Sequence, residues 1–247
     1  MTSFQLYSAR DVEDKNAFLK TLASLGYTQV EGYFGIYDDP VGFRAALETA
    51  GLAMPSAHIG LEQIDADWEN TRAMCEVLGI KHIFAPYLAA EDRPTDAAGW
   101  SAFGARLEAV AQKVQAAGLS FGWHNHEFEF ETMDGGAYPM ALMLDAAPSM
   151  SWEGDLAWIA RGGADIAEFV ANYGNRLTAV HVKDIAPDGE NADEDGWADV
   201  GHGTLPWAAL VTQVRALNPD TIMVMEHDKP SDPVRFATRA IASFEGY

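Results

Sequence analysis

The sequence has little cysteine and few basic residues. Its single cysteine, Cys75, lies in a segment with helical spacing, and one thiol can form neither a disulfide within the chain nor a four-cysteine zinc site. No basic residue adjoins it, so we interpret it as buried and unreactive. Only 16 Lys and Arg residues oppose 37 Asp and Glu residues, which gives a net charge of −21. A surface this acidic repels phosphate backbones and argues against a nucleic acid partner.

Long apolar runs and targeting signals are also missing. No apolar stretch is long enough to span a bilayer, so we expect no membrane partner. The first residues, MTSFQLYSARD, contain no basic region that leads into an apolar one, which predicts no signal peptide and a cytoplasmic protein. Hydrophobic residues make up 48% of the chain and charged residues 21%, as is ordinary for a globular protein with a large core.

Helical segments that end in glycine, each followed at once by a short apolar run, recur along the chain. ASLG-YTQVE (23–31) and VLG-IKHIFAPY (77–87) are two examples. Glycine favours the left-handed conformation that ends many helices, and short apolar runs are typical of strands buried in a parallel sheet. The predicted strands are Phe4–Tyr7, Gln29–Glu31, Met54–His58, His82–Ala85, Ser120–His124, Met150–Asp155, Ala179–Val182 and Ile222–Glu226.

Eight strands that alternate with helices predict an α/β fold, a single (β/α)8 TIM barrel over residues 1–247. An open doubly wound sheet is the alternative, but no Gly-x-Gly-x-x-Gly follows the first strand. We find no linker or low-complexity segment, which favours one domain. The acidic stretch DGENADEDGWAD (188–199) is predicted to be a mobile insertion.

Metal-binding and proton-transferring side chains lie at the carboxyl ends of the predicted strands, which face one mouth in a parallel barrel. Six of the eight strands end this way, in Glu31, His58, His124 with His126, Asp155, His181 with Lys183, and Glu226 with Asp228. We interpret His82 and His227 as structural, Glu31 as a partner for a lysine, and Asp184 as a turn cap.

Four of these residues come from separate strand ends and predict a metal site: His124, Asp155, His181 and Glu226. Nitrogen and oxygen donors without a thiolate suit Mn²⁺, Co²⁺, Mg²⁺ or Zn²⁺, and Mn²⁺ is our first choice.

The chain resembles the xylose isomerase-like TIM barrels, in particular the sugar phosphate isomerase/epimerase group, over nearly its whole length. The segments that carry the resemblance are HNHEFEF (124–130), DLAW (155–158), HVKD (181–184), GHGTLPW (201–207) and MEHD (225–228). This group includes inosose dehydratases, tagatose-type epimerases and enzymes that process 3-keto-glycosides.

The resemblance implies a metal held at the ends of strands five to eight, here by His124, Asp155, His181 and Glu226. The epimerases of the group usually have a glutamate at the fifth-strand position, where this chain has His124. Whether His124, His126 or Glu129 reaches the metal is therefore left open.

The reaction class that fits these residues is proton abstraction from a carbon next to a carbonyl, with a divalent cation stabilising the enediolate. Glu226 is the predicted base, His126 or His124 its acid/base partner, and Lys183 and His58 bind substrate hydroxyls or stabilise negative charge. The predicted protein is a metal-dependent sugar isomerase or epimerase. The alternative, suggested by His124, is a lyase or dehydratase of a keto sugar, an inosose or a 3-keto-glycoside.

Two further functions use the same fold. A DNA endonuclease of the endonuclease IV type would need a basic rim, which the net charge of −21 argues against. A non-catalytic sugar-binding barrel would lack the metal. The sequence shows no clamp of basic residues for a phosphate, which favours a sugar without one. The oligomeric state is left open, a homo-oligomer included.

Overall fold

Eight short parallel strands close into a barrel in the computed structural model, which describes residues 2–247. With two further strands outside the barrel, the described residues form β1 (Thr2–Gln5), β2 (Gln29–Gly32), β3 (Ala53–His58), β4 (His82–Ala85), β5 (Ser120–His124), β6 (Ser151–Asp155), β7 (Leu177–Val182), β8 (Asp184–Ile185), β9 (Trp197–Ala198) and β10 (Ile222–Met225). The barrel order is β1-β10-β7-β6-β5-β4-β3-β2, while β8 and β9 form a separate two-stranded sheet. The predicted TIM barrel is confirmed.

Ten α-helices connect the strands within residues 2–247. They are α1 (Lys15–Leu25), α2 (Pro40–Ala50), α3 (Leu61–Ala66), α4 (Trp68–Leu78), α5 (Ala97–Ala116), α6 (Pro139–Ala146), α7 (Leu156–Arg161), α8 (Ile166–Tyr173), α9 (Trp207–Leu217) and α10 (Pro233–Phe244). As the glycine pattern predicts, α1, α2 and α4 end at glycines with a left-handed backbone, Gly26, Gly51 and Gly79. None of the helices described is long and apolar enough to cross a membrane.

The position of the site along the barrel axis follows from the two-residue period of the strands. Ala179 and Val224 precede His181 and Glu226 by two residues, so each pair shares a strand face. Ala179 and Val224 form a small buried apolar cluster with Phe84 and Ile222. This cluster fills the barrel interior toward the strand starts, and the polar site lies toward the strand ends.

The acidic stretch 188–199 is folded, and its prediction as a mobile insertion is wrong. Its Trp197–Ala198 portion pairs antiparallel with Asp184–Ile185, and both Trp197 and Asp199 are buried. Arg235 of α10 donates to Glu194 at 2.8 Å and to Asp199 at 2.9 Å. Because α10 is far away in sequence, the basic partner of these acidic residues could not be seen from the stretch itself.

Candidate active site

The predicted site residues come together at the carboxyl ends of the barrel strands. A cavity of ≈ 640 Å³ opens there, lined by His58, His124, His126, His181, Glu226 and Asp228 together with aromatic residues that include Tyr7, Tyr33, Phe34 and Tyr87. Asp155 and Lys183 are fully buried beside these residues. The convergence of side chains from separate strands, which the sequence pattern predicts, is therefore present in the structure.

Asp155, His181 and Glu226 form a compact group that could hold a metal ion. His181 Nδ1 lies 3.9 Å from Asp155 Oδ2 and 3.9 Å from Glu226 Oε2, and it makes no hydrogen bond. The other ring nitrogen, Nε2, lies 2.8 Å from Glu31 Oε1. An Nε2–H that donates to Glu31 leaves the Nδ1 lone pair facing the two carboxylates, which is the arrangement of a metal-binding histidine with a carboxylate behind it.

Protonation of His181 competes with a metal ion at the same nitrogen. Burial lowers the pKa of His181, but Glu31, Glu226 and Asp155 outweigh this effect and raise it above the ordinary value. A divalent cation bound at Nδ1 would replace that proton, so metal affinity should depend on pH.

Lys183 places a buried ammonium among three carboxylates. Its Nζ lies 2.9 Å from Glu226 Oε2 and 3.4 Å from Asp155 Oδ2, and it also contacts Asp228 Oδ2. Burial lowers the pKa of Lys183, but the carboxylates outweigh it and raise the pKa. The faces of Trp197 and Trp158 lie 4.2 and 4.8 Å from Nζ and cover the ammonium on its other sides.

Asp155 uses its two oxygens for different purposes. Oδ1 accepts the backbone N–H groups of Ala157 at 3.0 Å and Trp158 at 3.1 Å, which caps α7. Oδ2 faces Lys183 and His181. The DLAW segment therefore anchors the carboxylate on a helix start while it leaves one oxygen for the site.

A second group adjoins the first and shares His181 with it. Its members are His58, His124, Glu153 and His181, and their ligand atoms lie within 4.8 Å of one another. Glu153 Oε2 is 2.6 Å from His58 Nε2, 3.2 Å from His124 Nδ1 and 3.5 Å from His181 Nε2. The four predicted metal ligands are thus divided, since His124 lies in this group while Asp155 and Glu226 lie in the other.

The buried carboxyl groups of Glu31 and Glu153 differ in proton affinity. Burial opposes ionisation of Glu31, but its hydrogen bond to His181 and the nearby His58 outweigh burial and lower its pKa to about 2. Burial and the adjacent Glu31 raise the pKa of Glu153 well above its ordinary value. Glu31 is therefore the ionised member of the pair near neutral pH.

The HNHEFEF segment presents alternate residues to opposite sides. Asn125 points away from the cavity, where its Oδ1 accepts from Trp152 Nε1 at 2.9 Å and from the Asp155 backbone N–H at 3.1 Å. Glu129 is also engaged elsewhere, accepting from Trp123 Nε1 and from the His126 backbone N–H, both at 2.8 Å. Both residues are buried and shape the strand end rather than facing the metal-binding groups.

His126 lies at the mouth and belongs to neither metal-binding group, although its ring centroid is 5.1 Å from that of His124. Its ring packs against Tyr87 and Trp158, with centroid distances of 5.2 and 5.5 Å. Burial, followed by the charge of Lys183, lowers the pKa of His126 to about 3, so its imidazole is neutral near neutral pH. Of the three residues left open by the sequence, only His124 belongs to a metal-binding group among the residues described.

The remaining polar motif residues have structural partners. Asp184 accepts the backbone N–H groups of Gly201, Gly203 and Leu205 at 3.0–3.1 Å, so it fixes the GHGTLPW loop rather than only a turn. His227 Nδ1 accepts the Lys229 backbone N–H at 3.1 Å. His82 Nδ1 lies 2.7 Å from Ser120 Oγ. The structural interpretation of His82 and His227 agrees with these contacts.

Two site residues were missed or misread in the sequence. Glu31 was expected to pair with a lysine, and its partners are instead His181 and Gln5, whose Nε2 donates to Glu31 Oε1 at 2.8 Å. Glu153 was not singled out, because it lies inside a strand rather than at its end. The available signal was its position two residues before Asp155, which places both side chains on the inner face of β6.

Comparison with known proteins agrees with this architecture. The xylose isomerase-like TIM barrel family model matches residues 19–244. This chain belongs to that family. No curated protein matches the chain.

Solved structures with the same fold cover nearly the whole chain. A sugar phosphate isomerase/epimerase from Parabacteroides distasonis ATCC 8503 is 20% identical with a TM-score of 0.81, covering 100% of this chain and 98% of that one. The probable 3-DHS dehydratase AsbF from Bacillus anthracis is 12% identical with a TM-score of 0.77, covering 99% and 98%. The IolI protein with a bound zinc atom is 12% identical with a TM-score of 0.79, covering 99% and 96%. At these identities the likeness shows the fold alone.

Proposed function

We propose that this xylose isomerase-like barrel is a divalent-metal-dependent isomerase or epimerase that removes a proton next to the carbonyl of a keto sugar or inosose. The observation that carries the proposal is the buried group of Asp155, His181 and Glu226 with the Lys183 ammonium beside it. The descriptions of two similar structures, an isomerase/epimerase and a dehydratase, support chemistry on small oxygenated substrates.

The donor atoms and the charge of this group fit a divalent cation. When ionised, Asp155, Glu226 and Asp228 carry three negative charges, of which Lys183 offsets one. Two charges remain, which a divalent cation would balance. His181 Nδ1 lies 3.9 Å from an oxygen of each of the Asp155 and Glu226 carboxylates, so one ion between the three groups could reach all of them. Asp155, His181 and Glu226 are the proposed ligands, and Mn²⁺ suits this oxygen-rich set.

Lys183 is compatible with such an ion because it has a carboxylate partner outside the ligand set. Asp228 contacts its Nζ, so the ammonium stays paired when a cation takes the oxygens of Asp155 and Glu226. When bound, the cation would supply Lewis-acid polarisation of the substrate carbonyl.

Glu226 is the proposed base. Burial and the adjacent Asp228 raise its pKa to about 7, although Lys183 and His181 oppose the shift. In its ionised form this carboxylate can take a proton from the carbon next to a carbonyl and give it back. The C–H bonding pair then forms the carbon–carbon double bond of an enediolate, and the positive charge of Lys183 stabilises the oxygen that gains negative charge.

The fate of the proton decides the product. Return to the opposite face of the same carbon gives an epimer, and return to the neighbouring carbon gives an aldose–ketose isomer. We propose His126, at the mouth, as the second proton-transferring group, and His58 as a residue that binds a substrate hydroxyl. His58 lines the cavity and is held by Glu153 at 2.6 Å.

Elimination is the second candidate reaction, and the fifth strand favours it. A two-base epimerase needs two carboxylates or an equivalent pair on opposite faces of the substrate. Here the fifth strand presents His124, buried in a cluster of imidazoles. With Glu226 as the one carboxylate base, loss of a β-hydroxyl or a glycosyl group after proton abstraction would give a dehydratase or a lyase.

Solvent deuterium exchange tests the shared first step. Metal-loaded protein incubated in D₂O with a panel of ketoses, inososes and 3-keto-glycosides should exchange the proton next to the carbonyl, as followed by NMR. Glu226→Gln should abolish exchange, whereas Glu76→Gln, a change at an exposed acidic residue of α4, should not. Release of water or an aglycone with exchange identifies elimination. Absence of exchange across the whole panel would overturn the proposal.

A further inference from the structure

A second group of metal-binding side chains lies deeper in the barrel than Asp155 and Glu226. Glu153 precedes Asp155 by two residues, so both face the barrel interior and Glu153 is nearer the start of β6. His58 of β3 and His124 of β5 meet its Oε2 at 2.6 and 3.2 Å. These contacts bring two imidazole nitrogens and one carboxylate oxygen to a common point.

Several buried atoms in this deeper group have no hydrogen-bond partner. They are His124 Nδ1, Glu153 Oε1 and Glu31 Oε2. Glu31 and Glu153 are 0% exposed and His124 is 4% exposed, so solvent does not satisfy these atoms. A buried polar atom left unpaired is destabilising. A cation at this position would coordinate lone pairs that the protein itself leaves unsatisfied.

The nearby ammonium does not serve this group. The ion pairs of Lys183 among the described residues are with Asp155, Glu226 and Asp228. Glu31 and Glu153 instead contact each other and imidazoles, including that of His58. The deeper carboxyl groups therefore lack a full positive charge from lysine or arginine.

We propose that His58, His124 and Glu153 bind a divalent cation of their own, with Glu31 alongside. Two histidines and one glutamate match the donor set of three-ligand zinc sites, whereas the Asp155, His181 and Glu226 set is richer in oxygen and suits Mn²⁺. His124 then serves the deeper ion. The proposal goes beyond the proposed function, since it concerns a site that the proton transfer does not require.

Metal stoichiometry of the full-length protein tests this site without any activity assay. The protein is stripped with a chelator, reloaded with Co²⁺, desalted and analysed for metal content and visible absorption. The wild type should retain about two ions, because each donor set holds one. Glu153→Gln and His58→Gln should each retain about one and lose the strong absorption that marks a four-coordinate ion. Asp155→Asn should also retain about one, with the strong absorption kept.

Glu129→Gln is the matched control, because Glu129 is an equally buried carboxyl group outside both metal-binding groups. It should retain both ions, and circular dichroism with thermal unfolding identifies any variant that fails to fold. Two variants of the deeper group keep the test valid if one of them misfolds.

The outcomes separate this site from the proposed function. If the protein holds a single ion, and Asp155→Asn removes it while Glu153→Gln and His58→Gln leave it in place, the deeper site is overturned. The proposed function then stands. If the protein holds a single ion that Glu153→Gln removes and Asp155→Asn keeps, the deeper site is supported. The proposed ligand set of Asp155, His181 and Glu226 is then overturned. Two ions lost separately support both.

Discussion

Replacing Glu31 tests whether a buried carboxylate behind His181 tunes the proposed metal ligand. Glu31 Oε1 lies 2.8 Å from His181 Nε2 and accepts from Gln5 Nε2 at 2.8 Å. Glu31→Gln can keep a carbonyl oxygen for both donors while it removes the negative charge. Any effect of this variant therefore reports on charge rather than on lost hydrogen bonds.

The expected loss of metal affinity follows from the position of Glu31 behind the ligand. Removing such a partner typically costs 10–100-fold in affinity, which corresponds to about 1.4–2.7 kcal/mol. We expect the Kd for Mn²⁺ to rise by that factor in Glu31→Gln, as measured by calorimetric titration of the metal-free protein. Glu31→Ala, which also leaves His181 Nε2 and Gln5 Nε2 without an acceptor, should lose more.

The pH dependence of the same titration provides a second measurement. In the wild type, Glu31 contributes to the raised pKa of His181, so protons compete with the metal up to a higher pH. Glu31→Gln should lower the pH at which this competition ends. Glu129→Gln, which replaces a buried carboxyl group that does not face the metal-binding groups, is the control. An affinity within twofold of the wild type in Glu31→Gln would refute the reasoning.

Three further predictions concern stability and metal dependence. Burial opposes ionisation of Glu194, but hydrogen bonds from Ser231 and Arg235 lower its pKa to about 2. The ionised Glu194 therefore stabilises the folded protein above about pH 4.5, and this stabilisation is lost toward pH 2. In urea unfolding, Glu194→Gln should lower the free energy of unfolding by about 2–3 kcal/mol at pH 7 and should not differ from the wild type near pH 2. Asn125→Leu should lower the free energy of unfolding by about 3 kcal/mol, because it leaves the Trp152 indole N–H and the Asp155 backbone N–H unpaired. A decrease of less than about 1 kcal/mol would show that these donors find other partners. Chelation should stop the deuterium exchange described above, and added Mn²⁺ should restore it; exchange that persists in metal-free protein would exclude a metal role.

The fold could be predicted because its signals are local. The glycines that end several helices, and the apolar runs that follow them, depend only on backbone conformation and burial. Strands β4 and β5 begin and end where the sequence predicts. The first strand shows the limit. It was predicted at Phe4–Tyr7 but spans Thr2–Gln5, because Leu6–Ala9 turns into a short 3₁₀ helix.

The composition of the site was predictable only in part. Strand ends gave His124, Asp155, His181 and Glu226, because all parallel strands end at the same mouth. Depth within the barrel depends on strand stagger, which no local pattern encodes. For this reason the division of the four predicted ligands between two groups could not be foreseen, whereas Glu153 was missed because it lies inside β6 rather than at its end.

The charge balance of the barrel interior explains why these residues belong together. Glu31, Glu153, Asp155 and Glu226 are all at least 96% buried in a chain that already carries a net charge of −21, and Lys183 is the buried ammonium among them. Burying carboxylates is costly unless positive charge or protons compensate. The raised pKa values of Glu153, Asp155 and Glu226 show protons in that role. A divalent cation bound among these carboxyl groups would displace their protons, so the site is suited both to binding metal and to moving protons.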